Sequence, residues 1–395
     1  MGGLLAQIIM NRLKYIIVNI VETLLRGFPF PSKTGLIKIG NPDRDSPVFL
    51  TCNYHLTVER VKRALKGIDC YLLVANSRGI NVWCAATGGH FTNHDVISVL
   101  KTSGIEKLVN HRNVVLPQLA ATGIESSVIK KKTGWKVHWG PVYAKDVPAF
   151  LKNMFIKTKE MREVRFPLMQ RIEMAAMWAF PFSIIASIIT FHFFRDMVLP
   201  VATFLWILSL LIFISFPLYS KWLNTKKKGT SFSKYTIIFD FGRVPLILWG
   251  VFMFFIAVYG ILISNFTSGF IFRWGLVSFV FVLLISIDLM GSTPVYKSGL
   301  HEDRLLKVIL DEEKCRGAGM CEQVCPRDCY EVDKSRHIAT MPGADKCVQC
   351  GACIVQCPFD ALYFKSPKGE VLAPETVRRF KLNLMGKRLV KVEEQ

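Results

Sequence analysis

Acidic residues are scarce, 30 against 50 lysines and arginines, and no cysteine stands between Cys84 and Cys315 or after Cys357. Three cysteines precede residue 100 and eight crowd into Cys315 to Cys357, which excludes the evenly spread disulfide framework of a small secreted protein. Such a cluster points instead to metal and to a reducing, anaerobic compartment. The N-terminal run Leu4 to Leu25 lacks a small-residue cleavage site before Pro29 and is broken by Arg12 and Lys14. It therefore reads as an amphipathic helix over residues 1–30 rather than a signal peptide. The formal charge of +20 could serve a nucleic acid, but its placement argues against one. Lys157, Lys159, Arg162, Arg165 and Arg171 precede an apolar run, and Lys221, Lys226, Lys227, Lys228 and Lys234 separate two others. This is the flanking pattern of a membrane protein.

What is abundant is apolar surface: 51% hydrophobic residues, 29 phenylalanines and a mean hydropathy of +0.32. Residues 31–165 alternate short apolar runs, such as Ser46 to Tyr54 and Cys70 to Ser77, with charged amphipathic stretches. That alternation predicts a Rossmann-like α/β domain with a mostly parallel sheet, and ligand sites at the carboxyl ends of its strands. Residues 170–292 carry four apolar runs, at 174–194, 197–219, 244–264 and 274–290. Each approaches the roughly 20 residues that cross a bilayer. A four-span transmembrane helix bundle is the expectation, with buried helices of a large soluble core as the alternative. Basic residues are rich before the first run, between the second and third, and after the fourth. The expectation is thus a multi-pass protein of the cytoplasmic membrane, in contact with lipid, with both flanking domains on the cytoplasmic side.

Residues 300–395 read as an α+β ferredoxin domain with a basic tail. Cys347, Cys350, Cys353 and Cys357, the last followed by Pro358, have the cadence of a bacterial-type cluster-binding run. A zinc knuckle would explain paired cysteines but not this rhythm. An upstream copy, Cys315, Cys321 and Cys325 before Pro326, has Ala318 where the second ligand belongs. In a two-cluster ferredoxin the Cys-Pro cysteine of each run ligates the other cluster. The complete site would then use Cys325, Cys347, Cys350 and Cys353. Cys315, Cys321 and Cys357 would be left for the other. The expected cofactors are one [4Fe–4S] cluster and a second that is [3Fe–4S] or degenerate, with Cys329 either a substitute ligand or a free thiol.

Between the second apolar strand of this reading and the next helix lies Asn81-Val82-Trp83-Cys84-Ala85-Ala86. A lone cysteine among small residues reads either as a buried structural thiol or, beside Gly88 and Gly89, as a ligand over which backbone can approach closely. The Asn81 to Ala86 block resembles the corrinoid protein of microbial mercury methylation (HgcA), itself similar to the corrinoid iron–sulfur protein of the acetyl-CoA pathway. Also resembled are Ser46 to Tyr54, His111 to Leu119 and Gly140 to Val142. The cysteine runs resemble its ferredoxin partner (HgcB), here in the same chain. The resemblance implies a cobamide held by Asn53, Gln118 and the block, with Cys84 as axial cobalt ligand and catalytic residue. It also implies that the clusters return cobalt to Co(I) after methyl transfer.

Two departures qualify the likeness. Thr87, Gly88 and His90 stand where that family has glycine, lysine and threonine, and the terminal cysteine pair of its ferredoxin is missing. The function expected is a membrane-bound, corrinoid-dependent methyl carrier or methyltransferase with a fused iron–sulfur reductant. Its partners would be a methyl donor of methyltetrahydropterin type, an acceptor not specified by the sequence for which Hg(II) is one candidate, and a low-potential electron donor. The alternatives are a membrane-anchored electron-transfer ferredoxin with a non-corrinoid ligand domain, or a non-catalytic sensor or assembly subunit.

Overall fold

A computed structural model describes residues 2–220, 244–263, 266–289, 306–366, 369–383 and 386–389. The chain divides into two compact units. One comprises Met1–Gly27 and Phe166–Ser292 with a short piece at Ser298–His301; the other comprises Phe28–Arg165 and Glu302–Gln395 with Thr293–Lys297.

The first unit opens with α1 (Gly2–Leu24). The second begins with β1 (Gly35–Ile39), β2 (Val48–Cys52), α2 (His55–Ala64), β3 (Cys70–Ala75), α3 (Val82–Gly88), α4 (Asn93–Thr102), β4 (Asn113–Leu116), α5 (Ser126–Thr133), β5 (Lys136–Trp139), α6 (Val147–Lys152) and α7 (Lys159–Arg162). A 3-10 helix, Gln118–Thr122, follows β4. The sheet order is β1-β3-β2-β4-β5, with β3, β2, β4 and β5 parallel and β1 antiparallel to β3. Every residue of β2 and β3 is buried, as expected of parallel strands covered on both faces. The mixed α/β expectation holds, and β1 is an addition to it. Its pattern is half-buried along its length, because an edge strand is covered on one side only.

The first unit resumes with α8 (Leu168–Phe193), α9 (Val198–Ile214), α10 (Phe216–Tyr219), α11 (Val244–Leu262) and α12 (Ser268–Leu289). Helices α8 and α9 pack together, with Ser209 Oγ donating to the Ala175 carbonyl at 2.8 Å. Helices α11 and α12 pair through the Trp249 indole, which reaches the Gly275 carbonyl at 3.2 Å and Ser278 Oγ at 3.1 Å. Among the described residues two helical segments, Leu168–Phe193 and Arg195–Ile214, are long and apolar enough to cross a membrane. The apolar stretches Trp249–Leu262 and Ser268–Val282 are shorter. The basic stretch 221–243 lies outside the described residues.

The second unit ends in β6 (Lys307–Leu310), α13 (Met320–Val324), β7 (Glu331–Asp333), β8 (Ile338–Thr340), α14 (Ala352–Gln356), β9 (Leu362–Lys365), β10 (Val371–Leu372), α15 (Pro374–Arg379), β11 (Phe380–Asn383) and β12 (Gly386–Leu389). Val324 and Ala352 belong to the same buried cluster as the β2, β3 and β4 side chains, so the cysteine-rich segment is built onto the sheet domain.

Candidate functional site

The site begins with Asn53, just past the carboxyl end of β2. Its amide is buried, and Oδ1 accepts from Ser77 N at 2.8 Å, Ser77 Oγ at 2.9 Å and Gly79 N at 3.0 Å, while Nδ2 donates to the Ser32 carbonyl at 3.3 Å. Gly79 has φ +70, and a Cβ there would lie 2.6 Å from Pro31 N. The loop after β3 is thereby held rigid and delivers Asn81 as the N-cap of α3, its side chain accepting from Cys84 N at 3.0 Å. Gly89, left-handed at φ +72, ends the helix.

Helix α3 has two faces. Val82, Trp83, Ala85 and Ala86 are buried, and Ala85 and Ala86 have no exposed surface. Asn81, Cys84, Thr87 and Gly88 are half-buried on the opposite face, following the i, i+3, i+4 spacing of a helix. Thr87 Oγ1 donates to the Trp83 carbonyl at 2.7 Å. The backbone of β11 runs beside this helix. Of the residues that the resemblance assigns to a cofactor, the fold thus presents Cys84 and Asn81 on the accessible face. It turns Val82, Trp83, Ala85 and Ala86 into the core and uses Asn53 as a brace. Asn53→Leu is expected to lower stability by about 2 kcal/mol, because the buried Gly79 and Ser77 amides lose their acceptor. Urea unfolding of the full chain measures this.

The cysteine runs form two cavities. One is lined by Cys325, Cys329, Cys347, Cys350 and Cys353 with Tyr330; the other by Cys315, Ala318, Cys321, Cys357 and Ala361. Among the described residues no three His, Cys, Asp or Glu side chains gather tightly enough for a single metal ion. The thiols ring cavities instead. Backbone amides point at the sulfurs: Cys329 N at Cys325, Ala339 N at Cys315, Gln349 N at Cys347 and Ala361 N at Cys357, each at 3.4 Å. The Tyr330 hydroxyl donates to Cys353 Sγ at 3.2 Å. Donors of this kind stabilise thiolate charge and tune an iron–sulfur centre. The residues present therefore fit iron–sulfur chemistry, with five thiols lining one cavity and three the other.

The join between sheet domain and cysteine segment is polar and well satisfied. Gln118 is buried; its Nε2 donates to the carbonyls of Arg162 at 2.8 Å and Cys325 at 3.2 Å, and its Oε1 accepts from Lys157 at 2.7 Å. Gln118 therefore braces the join. Gln356 Nε2 donates to the carbonyls of Ala121 at 2.8 Å and Ile124 at 2.5 Å, and its Oε1 accepts from Ser126 Oγ at 2.9 Å. Val164 N donates to the Pro326 carbonyl at 2.9 Å, and Arg162 pairs with Glu322 at 3.0 Å and Asp328 at 3.5 Å. Gln356, Arg162 and Lys157 carry no sequence signal for this role, because their partners lie far along the chain.

Lys157 also donates to the Gln323 carbonyl at 2.7 Å. The residue is half-buried, and burial of the ammonium, reinforced by the Arg162 guanidinium, pushes its pKa down from 10.5 to about 7. Between those two values the unfolded chain binds the extra proton, so stability rises with pH across that window. Lys157→Met is expected to flatten this part of the slope, measured as the difference in urea midpoints between pH 7 and pH 9.

Comparison with known proteins matches two separate stretches of the chain. Residues 26–151 match the family described as CO dehydrogenase/acetyl-CoA synthase delta subunit, and residues 343–363 match the 4Fe-4S binding domain. The first match spans β1 to β5 and α3; the second holds Cys347, Cys350, Cys353 and Cys357. Among curated proteins the chain is 38% identical over 127 residues to an acetyl-CoA decarbonylase/synthase complex subunit gamma of Archaeoglobus fulgidus, covering 32% of this chain and 27% of that protein. The corresponding subunit of Methanopyrus kandleri is 37% identical over 127 residues, with the same shares, 32% and 27%. That of Methanocaldococcus jannaschii is 36% identical over 138 residues, 34% of this chain and 28% of the relative. The chain thus spans little more than a quarter of the curated relatives it matches. It combines a domain similar to these subunits with a 4Fe–4S domain.

Proposed function

We propose that this protein is a corrinoid-dependent methyl carrier whose own iron–sulfur domain supplies the electrons that keep the cobalt active. The observation that carries the reading is Cys84: a half-buried thiol on the accessible face of a short helix, at the rim where β2, β3 and β4 end, braced from Asn53 through the Ser77 to Asn81 loop. Ligands of open α/β sheets bind at such rims. A bound corrinoid would supply the methyl-carrying metal, and Cys84 its soft axial donor.

Asn81 fixes the helix that bears Cys84. Val82, Trp83, Ala85 and Ala86 anchor that helix from beneath, and Asn53 and Gln118 hold the flanking loops. The backbone of β11 runs beside α3, so the C-terminal hairpin would border a corrinoid held by Cys84. The complete cavity of Cys325, Cys347, Cys350 and Cys353 would hold a [4Fe–4S] cluster; Cys315, Cys321 and Cys357, with Ala318 as the gap, would hold a three-ligand one.

The apolar helices extend the proposal to a four-span anchor in the cytoplasmic membrane. Helices α8 and α9 would form two spans and α11 and α12 the others, with both soluble domains on the cytoplasmic side. A methyl donor of methyltetrahydropterin type and a low-potential electron donor are the expected partners. Hg(II) is one candidate acceptor, although soft Hg(II) calls for thiolate capture and no cysteine follows Cys357.

The test is the visible spectrum of the full chain purified anaerobically with added cobalamin. Retention of one corrinoid per chain is expected. A protein that retains its iron–sulfur absorption but takes up no corrinoid would reduce the function to electron transfer.

A further inference from the structure

The two cysteine runs are repeats. Cys315 corresponds to Cys347, Ala318 to Cys350, Cys321 to Cys353, Cys325 to Cys357, and Cys329 to Ala361. The structure keeps the correspondence: the amide of Cys329 donates to Cys325 Sγ and that of Ala361 to Cys357 Sγ, both at 3.4 Å. A thiol at position 329 is therefore directed to the cavity of its own run's Cys-Pro cysteine. Cys329 lines the complete cavity, with Cys325, Cys347, Cys350 and Cys353, and does not line the one that Ala318 leaves short. It cannot make good the missing ligand. It is instead a fifth cysteine where four suffice.

Its setting is specific. Cys329 is 1% exposed, it lines one cavity with Cys325 and Cys347, and its backbone amide donates to Cys325 Sγ at 3.4 Å. Asp328, just before it, has φ +49 and its carboxylate is held by Lys159 at 2.7 Å and by Arg162 at 3.5 Å. The turn from Cys325 to Cys329 is thus held from the sheet domain, and the Cys325 carbonyl is held by Gln118.

We propose that Cys329 is a reserve ligand of the complete cluster, able to take over the iron position served by Cys325. The exchange balances without a co-reactant. With a cluster in this cavity, the iron–sulfur bond to Cys325 would break as one to Cys329 formed, and the proton of the Cys329 thiol would end on the Cys325 sulfur. The oxidation level of the cluster is unchanged. Because the Cys325 carbonyl is a partner of Gln118, the exchange loosens a contact between the cluster domain and the sheet domain.

The inference rests on the reading of this cavity as a [4Fe–4S] site, and the experiment separates the two. Iron and sulfide content and the electron paramagnetic resonance of the reduced full chain are compared for wild type, Cys325→Ala, Cys329→Ala, Cys325→Ala/Cys329→Ala and Cys350→Ala. Cys350 has no neighbouring reserve. A wild type without a [4Fe–4S] signal would remove the cluster reading itself. With that signal present, Cys325→Ala and Cys329→Ala are each expected to keep it, whereas the double variant and Cys350→Ala lose it. A Cys325→Ala chain that loses the cluster as the double variant does, or that fails to fold while Cys329→Ala folds, overturns the inference.

Discussion

Replacing Gln356 by leucine is expected to cost the chain about 3 kcal/mol of stability, because burying unsatisfied polar groups costs about 1–3 kcal/mol each. Gln356 is 5% exposed. The leucine would fill similar space but leave the Ala121 and Ile124 carbonyls without its amide, and the Ser126 hydroxyl without its acceptor. The three groups lie in the 3-10 helix, in the connection after it and in α5 of the sheet domain, whereas Gln356 directly precedes Cys357. The same substitution should therefore raise hydrogen exchange at Ser126 to Ile129 and loosen the cysteine segment from the sheet. Thermal melting and exchange of the full chain measure both. A loss below about 0.5 kcal/mol, the range of an ordinary surface change, would show that the join is not held this way.

A loss of about 3 kcal/mol is also expected for Gly123→Ala, at the upper end of what overpacking costs. Glycine is required here by space, since φ is −112 and any residue could adopt it. An added Cβ would lie 2.6 Å from the Phe91 carbonyl oxygen, 2.8 Å from that of Ala86 and 2.9 Å from the Ala86 Cα. These are backbone atoms with no flexible end to swing away, so α3 must shift as a whole. Since α3 carries Cys84, corrinoid retention should fall together with the melting temperature. Gly88→Ala provides the contrast, since its Cβ would meet only His90 Cδ2, at 3.4 Å. Equal losses in the two variants would mean that the close approach at Gly123 is unimportant.

How legible this was from sequence depended on the range of each interaction. Strands β2 and β3 announce themselves as short apolar runs because they are buried on both faces. Strand β1 does not, since Gly35 to Ile39 is half-buried, carries the exposed Lys38, and pairs only with β3. The spacing of the two runs suggests how the cysteines divide, and the cavities group Cys325 with Cys347, Cys350 and Cys353. Position 329 could have been placed by the same repeat, through its correspondence to Ala361. Gln118 shows the limit. The resemblance assigns Gln118 to the cofactor, and its partners in the fold are the Arg162 and Cys325 carbonyls and Lys157, a set assembled only by folding. Asn53 likewise spends its Oδ1 on the Ser77 and Gly79 amides, so its contribution to the site is to position α3. The apolar runs were legible as helices, and their ends shifted. The fourth begins at Ser268, ahead of Arg273, and the second stops at Ile214, before Ser215 and the short helix Phe216–Tyr219.

Cobalt K-edge X-ray absorption on the anaerobic, cobalamin-loaded chain tests the central assignment most directly. The wild-type spectrum should contain one sulfur scatterer at bonding distance from cobalt, and Cys84→Ala should lose it while retaining corrinoid. Identical spectra for the two proteins, with no sulfur in the cobalt shell, would contradict the role given to Cys84.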